Sequence, residues 1–404
     1  MSNSVFFQIG QCGNQLADSV WSSIRGRGLE AQCGAFVEGK VSSVCVDLEP
    51  RVLRRLKDAD AKRQLYHAHH MLWSDSGAAN NYAQGRCMAN AAADGSRSLV
   101  EMIEDNAQSL ARGMQWSSSV LFHSLAGGSG SGVSGALLNA LCDVTRARSM
   151  CVCVAPLDSG ETCTQSFNTV LCARDMLQHC DAVIMLDNDS LLKQAAAKQA
   201  KAAASSPGAV GGGGGGSSSS VGVSLSDANK AAAPPIVDLF CDVLSMPVKE
   251  VCVFSVHGLA HTLRCGSNPF VAAHHAAGVD VSWSDLSQRM VKQVKSCGQG
   301  AAAAAAAAYV RGGLTVCPDG ALTPDVRARM TTGICAAAGC SADALAWREG
   351  VDLGGRGGGA VHVQRRSISV FTPHPKANAM LVQAAHKVLQ LVAVGAYVHW
   401  CVCT

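Results

Sequence analysis

The stretch SSSVLFHSLAGGSGSGVSGALLNAL, residues 117–141, constrains the fold most. It opens as an apolar strand and ends as a helix. Between them, Gly127, Gly128, Gly130 and Gly132 leave backbone N–H groups unobstructed at a helix N-terminus, and Ser129 and Ser131 add hydroxyl donors. Unpaired donors at the positive end of a helix dipole receive an anion. Taken alone, the same run is equally a flexible turn. It is not the GxGxxG dinucleotide arrangement, which needs the first strand of a βαβ unit and an acidic residue about twenty positions on. Here the glycines come far too late.

The rest of the first half repeats the strand-then-helix pattern. SVFFQIG reads as a buried strand that turns at GQCGNQ into the helix NQLADSVWSSI. KVSSVCVDL is a second strand. SMCVCVAPL and DAVIMLDN are further strands, separated by the helix TCTQSFNTVLCARDMLQHC. Short apolar strands alternating with helices predict a parallel sheet covered on both faces. One apparent phosphate loop, GAFVEGK at Gly34–Lys40, is rejected. Val41 stands where Ser or Thr would take magnesium, and a strand follows rather than a helix.

At 404 residues, two or three domains are expected. The core is aliphatic, because aromatics are only 5% of the chain. A net charge of +3 without a dense basic block argues against nucleic-acid and membrane partners. No basic n-region precedes an apolar core, and no run of apolar residues is long enough to span a bilayer. The nineteen cysteines, scattered and without a CxxC pair, read as reduced, mostly buried thiols of a cytosolic protein. No HExxH, GxSxG or supported Ser/His/Asp set points to a stand-alone enzyme. YHAHH, with His67, His69 and His70, reads as a solvated helix face before it reads as a metal site.

After Asp187 the composition shifts. SLLKQAAAKQAKAAASS is a helix by alanine propensity and runs into PGAVGGGGGGSSSSVG, which has no means of packing. That tract is expected to be dispensable, and Ala301–Ala308 is a second biased run. KEVCVFSVHG, AAAYVRGG and RSISVFTP read as strands of a second α/β domain, and NAMLVQAAHKVLQLVAVGAYVHWCV as a final apolar helix.

Four stretches occur in order: GQCGNQ at 10–15, VDLEP at 46–50, SGAANNYAQG at 76–85 and AGGSGSG at 126–132. Each lies at or just after the C-terminal end of a predicted strand, the edge where parallel sheets bind ligands. This set resembles the tubulin family. The glycine loop is similar to its signature motif, with Ala126 and Ser129 in place of the usual Gly and Thr. Within the family the resemblance is to the delta branch, through the alanine of HSLAGGSGSG, Gln165 in ETCTQSFN, and SLSDANK. It covers roughly residues 1–190 well, is patchy over 220–300, and returns in the final helix.

The resemblance implies a Rossmann-like parallel-sheet GTPase domain over 1–190 and a low-complexity insertion with a shortened core-helix region over 191–235. A smaller intermediate α/β domain over 236–372 and a truncated C-terminal helical segment over 373–404 would complete the chain. The implied ligands are GTP or GDP and Mg2+. Gln11, near the phosphates, and Cys12 would touch the nucleotide. Asp47 and Glu49 would face magnesium through water, and Ala78, Ala79 and Asn80 would approach the terminal phosphate. Ser124 with Gly127, Gly128, Ser129 and Gly130 would cradle the phosphates, Glu161 and Gln165 would lie by the ribose, and Asn229 would read the guanine edge. By itself, Asp47 reads as a solvated strand-end carboxylate; with three partner loops matched, the magnesium reading prevails. Asp238 aligns with the residue that acts on a neighbouring subunit's nucleotide, and equally reads as a helix N-cap after two prolines.

The implied role is a structural constituent of microtubules in centrioles, basal bodies and cilia. Its partners would be other tubulin subunits, and any GTP hydrolysis would be slow and tied to assembly. Four departures stand against the pattern. Leu225 replaces the aromatic that stacks on guanine. A second guanine-reading asparagine falls near Lys198. KAAAPPIV leaves little room for the central helix, which its two prolines would break, and the final outer helix and acidic tail are missing. They keep open a degenerate relative that binds no nucleotide.

Overall fold

The computed structural model describes residues 3–92, 96–112, 116–145, 147–160, 162–204, 223–242, 270–279, 281–296, 308–315, 323–338, 345–352, 365–374 and 376–401. The strands are β1 (Asn3–Ile9), β2 (Phe36–Val37), β3 (Lys40–Val41), β4 (Ser43–Asp47), β5 (Met71–Trp73), β6 (Trp116–Ser124), β7 (Arg148–Val154) and β8 (Ala182–Leu186). They continue with β9 (Phe270–Val279), β10 (Ala308–Thr315), β11 (Leu345–Asp352) and β12 (Arg365–Pro373). The helices are α1 (Gly10–Gly26), α2 (Pro50–Arg63), α3 (Tyr82–Asn90), α4 (Leu99–Leu110), α5 (Ser134–Val144), α6 (Gln165–His179), α7 (Asn188–Ala204) and α8 (Leu225–Asp242). After them come α9 (Trp283–Ser296), α10 (Pro324–Ala338), α11 (Ala377–Ala393) and α12 (Val398–Cys401).

β2 and β3 form a small hairpin. The other ten strands make one sheet in the order β11-β10-β12-β9-β8-β7-β6-β1-β4-β5. Every pairing from β5 to β9 is parallel. β12 runs antiparallel to both β9 and β10, and β10 pairs parallel with β11. The fold is therefore α/β with a large, mostly parallel sheet, as the strand-helix alternation predicts. The sheet continues across the expected domain boundary through a short pairing, Val183 with Phe270 and Ile184 with Val271.

Strand alternation divides the core of the parallel half. Phe6, Cys45, Val120, Phe122, Val152 and Ile184 face α1, α7 and α8, where Trp21 stacks with Phe240 at 5.9 Å. Val5, Phe7, Ile9, Val46, Leu121, Cys153 and Val183 face the opposite layer of α3, α4, α5 and α6. Both faces being covered, these strands carry apolar residues on both sides, with polar residues such as Gln8, Ser119 and His123 buried among them. A third cluster packs α9 and α10 on Ile368 and Val370 of β12. Eight of the twelve cysteines whose burial is described are buried, in keeping with their expected role as small apolar fillers.

Three sequence expectations change. The prolines do not break the central helix: α8 runs unbroken through Pro234 and Pro235. Each proline removes one backbone hydrogen bond and costs about 3 kcal/mol in a helix interior. The helix carries Ala228, Ala231, Ala232, Ala233, Ile236, Val237, Leu239 and Phe240 into the core, and that burial outweighs the loss. Asp238 consequently sits in the last turns of α8 and is not an N-cap. The final apolar segment is also not one helix. Gly395, at φ +69°, donates to Val392 O at 2.9 Å and separates α11 from α12. Finally, in YHAHH, His67 precedes and His69 and His70 lie in a 3-10 turn over Ala68–His70 leading into β5, with His70 buried against Asn106. Among the described residues no group of three or more His, Cys, Asp or Glu is placed to hold a metal. KEVCVFSVHG and the glycine-serine tract lie outside the described residues.

Candidate functional site

The site is built from loops that leave the C-terminal ends of adjacent parallel strands. β1 ends at Ile9, and Gly10 turns at φ +72° into α1. A Cβ on Gly10 would lie 2.8 Å from Gly130 N, so the first turn and the glycine loop touch backbone to backbone. Only glycine satisfies both demands. Asn14 fixes the turn from below: its Nδ2 donates to Gly10 O at 2.8 Å and to Val46 O at 3.0 Å. Gln11 is exposed and Cys12 half-buried at the opening of α1.

β4 delivers Asp47. Its carboxyl is 2% exposed, and burial pushes its pKa up to about 6. The Glu49 N–H donates to Oδ1 at 3.2 Å and the Ser129 hydroxyl lies beside it, and both oppose that shift. Oδ2 is buried without a hydrogen-bond partner. A carboxylate oxygen in that state is costly unless a cation or donor meets it. Glu49 is exposed, its carboxylate 3.6 Å from where a Gly77 Cβ would stand.

The loop after β5 presents Ala78, buried, then Ala79 and Asn80, exposed, at φ +46° and +53°. Left-handed backbone at two consecutive non-glycine residues is strained and must be held from outside. The Thr164 hydroxyl and Asn168 Nδ2 both donate to Asn80 O, at 2.5 and 2.8 Å. Asn168 also donates to Ala126 O at 2.7 Å and accepts from Tyr82 N at 2.8 Å. One buried amide thus clamps the loop after β5 to the loop after β6. Neither Asn168 nor Asn14 is singled out by the sequence, although each lies in a motif-bearing stretch. A polar residue on the buried side of a helix, between two such loops, is the signal that marks both.

The glycine loop closes the site. Ser124 accepts from Ala126 N at 3.1 Å, so its hydroxyl shapes the turn. Ser129–Val133 form one turn of π-helix before α5. The Ser131 hydroxyl donates to Gly127 O at 2.5 Å, and that of Ser134 to Gly130 O. The glycines divide by role. A Cβ on Gly128 would stand 2.4 Å from Asn81 N and 2.9 Å from the Ala78 side chain. Gly128 has ordinary helical backbone angles, φ −70° and ψ −50°, so close packing of two loops, not left-handed backbone, demands glycine there. Gly127 faces open space.

The structure therefore brings together Gln11, Cys12, Asp47, Glu49, Ala78, Ala79, Asn80, Ser124, Gly127, Gly128, Ser129 and Gly130 on one edge of the sheet. Gln165 opens α6 beside them and donates to Leu157 O at 3.3 Å. Glu161 lies outside the described residues. Asn229 is buried in α8, the helix packed on α1, and Leu225 is half exposed at the start of α8. Asp238 lies apart from these loops. It is 4% exposed, accepts from the Ser369 hydroxyl at 2.6 Å, and sits 3.5 Å from Arg27 Nη1 and 3.4 Å from His275 Nδ1. Those contacts tie α8 to β9 and β12 within the chain.

The loops supply backbone N–H groups, hydroxyls and helix N-termini, with one buried carboxylate beside them. The stretches 10–15, 76–81 and 124–131 contain no Lys or Arg. Such a cradle suits a phosphate chain whose charge is met by peptide dipoles and a divalent cation.

Comparison with known proteins agrees with this architecture. Residues 3–196 match the Tubulin/FtsZ family, GTPase domain, a span just under half of the chain. The chain is 32% identical over 154 residues to the tubulin alpha-2B chain of Physarum polycephalum, covering 37% of this chain and 32% of that one. It is 28% identical over 217 residues to the tubulin beta-1 chain of Chondrus crispus, covering 46% and 45%. To the tubulin alpha-4 chain of Drosophila melanogaster it is 29% identical over 227 residues, covering 47% and 48%. The matched part spans between a third and a half of these relatives' length.

Proposed function

We propose that the chain, whose residues 3–196 match the Tubulin/FtsZ GTPase domain, is a GTP- and GDP-binding tubulin subunit of the microtubule cytoskeleton. The observation that carries this reading is the convergence of five loops around an open Gly127 and the unpartnered Asp47 Oδ2. The N–H groups at Gly127–Gly130 and at the start of α1 would hold the phosphates. Asp47, with Glu49 beside it, would carry a hydrated magnesium ion. One or two carboxylates plus phosphate is the set that cation takes. The residues present fit both groups. Gln165, Glu161 and Asn229 would meet the nucleoside.

Within the family we place the chain nearest the delta type, on Ala126, Gln165 and the SLSDANK stretch, and propose a role in centriole, basal-body and ciliary microtubules. Its partners would be other tubulin subunits. Asp238 is left out of the proposed machinery, because its carboxylate is buried and already satisfied within its own chain.

A guanine-nucleotide titration of the purified protein tests the core of the proposal. Binding that strengthens with magnesium is expected. No binding at millimolar GTP would instead support a relative that has lost its nucleotide, a reading favoured by Leu225, which offers area but no ring to stack on a base. For the finer assignment, a tagged copy expressed in ciliated cells should concentrate at basal bodies. Uniform labelling of cytoplasmic microtubules would remove the delta-type role.

A further inference from the structure

A cavity of about 560 Å³ opens between α3 and α6, lined by Tyr82, Arg86, Cys87, Asn90, Leu171 and Arg174. Tyr82 and Ala83 follow directly on the loop after β5, and the other lining residues lie outside the loops that form the phosphate cradle. Its volume falls in the range of small-molecule sites, about 300–1,000 Å³. Beneath it lies Asp175, 1% exposed. Asp175 Oδ2 accepts from the Tyr82 hydroxyl and from Arg86 Nη1, the latter at 3.1 Å. Oδ1 accepts from Arg174 Nε and Nη2, at 3.1 and 2.7 Å.

Two guanidinium groups therefore meet one carboxylate. A single arginine would neutralise Asp175, so the second leaves the recess with one positive charge in excess. Each guanidinium carries five N–H donors. Asp175 engages only Nη1 of Arg86, which also donates to the Tyr82 hydroxyl at 3.0 Å, and only Nε and Nη2 of Arg174. The remaining donors belong to side chains that line the recess, where Asn90 adds an amide and Leu171 and Ala83 an apolar wall. Planar forks backed by a fixed carboxylate are pre-organised for a second carboxylate.

We propose that this recess binds a ligand bearing a carboxylate next to an apolar group. The carboxylate would take the donors of Arg86 and Arg174 that Asp175 leaves unused, and the apolar part would cover Leu171. A free carboxylic acid and a glutamate side chain of a peptide share this chemistry, and the test separates them.

Cys87 reports occupancy, since it is exposed and lines the recess. The alkylation rate of Cys87 by iodoacetamide is measured by mass spectrometry, with the exposed Cys142 as the internal reference. The probes are 4-phenylbutyrate, its uncharged amide, and a capped Leu-Glu-Leu-Glu tetrapeptide. The acid or the peptide should protect Cys87 saturably while the amide does not. Protection by the acid alone identifies a small-molecule site, and protection by the peptide alone a peptide site. Arg174→Gln leaves Asp175 with Arg86 and Tyr82, and should weaken protection about tenfold, the loss of one charge-assisted contact. Absence of protection by either probe up to about 10 mM overturns the proposal, since weaker binding than that is not recognition. So does equal protection by acid and amide, a contrast that needs no variant. The measurement is made without nucleotide, so its failure is distinct from failure to bind GTP.

Discussion

From β5 to β9 every strand runs the same way, and beyond β9 they do not. In the parallel half each strand's C-terminal end opens on one edge, so the loops after β1, β4, β5, β6 and β7 meet there. In the other half β12 reverses against both neighbours, so its C-terminal end points to the edge opposite theirs. The covering differs too. Two full apolar layers sandwich the parallel half, whereas α9 and α10 pack on Ala276, Ile368 and Val370, and among the described residues α8 reaches Val271 and Phe371 on the other face. The difference teaches that direction, more than composition, decides where a site forms. Both halves are alanine- and glycine-rich, and only one gathers its turns. The halves meet through two residue pairs of β8 and β9, reinforced by Asp238 on α8.

The strongest way to break the comparison is at the packed glycine. Gly128→Val places a side chain against Asn81 N and Ala78, in a contact with no slack. Overpacking of that kind costs about 3 kcal/mol, so the melting temperature should fall and guanine-nucleotide binding should be lost together. Retained stability with lost binding would return Gly128 to a purely ligand-facing role.

The join between the halves is tested next. Asp238→Ala removes the carboxylate that accepts from Ser369 and faces Arg27, leaving Ser369 with His275 Nδ1. The expected loss is about 2 kcal/mol, below the usual cost of a broken buried pair because Arg27 regains water. Asp238→Asn keeps an acceptor for Ser369 and should lose less. If denaturant unfolding of the Ala variant matches the parent within error, α8 is not anchored to the mixed half by this residue.

Asp47 sharpens the contrast in the opposite direction. Its pKa of about 6 when folded lies above the ordinary aspartate value, so ionisation favours the unfolded chain. The sign follows directly. Below about pH 4 the group is protonated in both states and costs nothing, and the penalty grows as pH rises towards 6 and is constant above. Nucleotide-free Asp47→Asn should therefore be more stable than the parent by about 2 kcal/mol at pH 7.5, with the gap closing near pH 4. It should also lose the magnesium dependence of nucleotide binding. Equal stability of the two proteins at pH 7.5 would mean that the carboxylate is already compensated.

The smallest structural effect is expected at Gly127, whose Cβ direction is open. Gly127→Ala should melt with the parent while binding guanine nucleotide more weakly. Unchanged affinity would move the phosphate seat away from this residue.

Much of the parallel half is legible without coordinates. Residues such as Val5, Phe6, Phe7 and Ile9 read as strand because apolar side chains fall on both alternating faces, and a strand buried on both faces has that signature. The mixed half is harder to read. β9, FVAAHHAAGV, has alanine and histidine where β-branched residues would announce a strand. It becomes a strand because β8 and β12 pair with it on either side. At the site, the glycines and Asp47 are visible as turn and strand-end residues. Asn168 and Asn14 are not, because their value lies in which two loops they reach, and that separation is long-range.

The sequence by itself determined that apolar strands alternate with helices in the first half, that their sheet is parallel, and that its turns carry unobstructed donors. These are local properties: hydrophobic period, turn chemistry, and donors left free at a helix start. The tertiary structure decided the rest. It carried α8 through two prolines by burying the helix on both halves, and placed Asp238 inside the join. It assigned Gly128 to loop packing and Gly127 to open space. It also set two arginines over one buried carboxylate beside α3. Each depends on atoms far apart in the chain, whose contact energies no local pattern encodes.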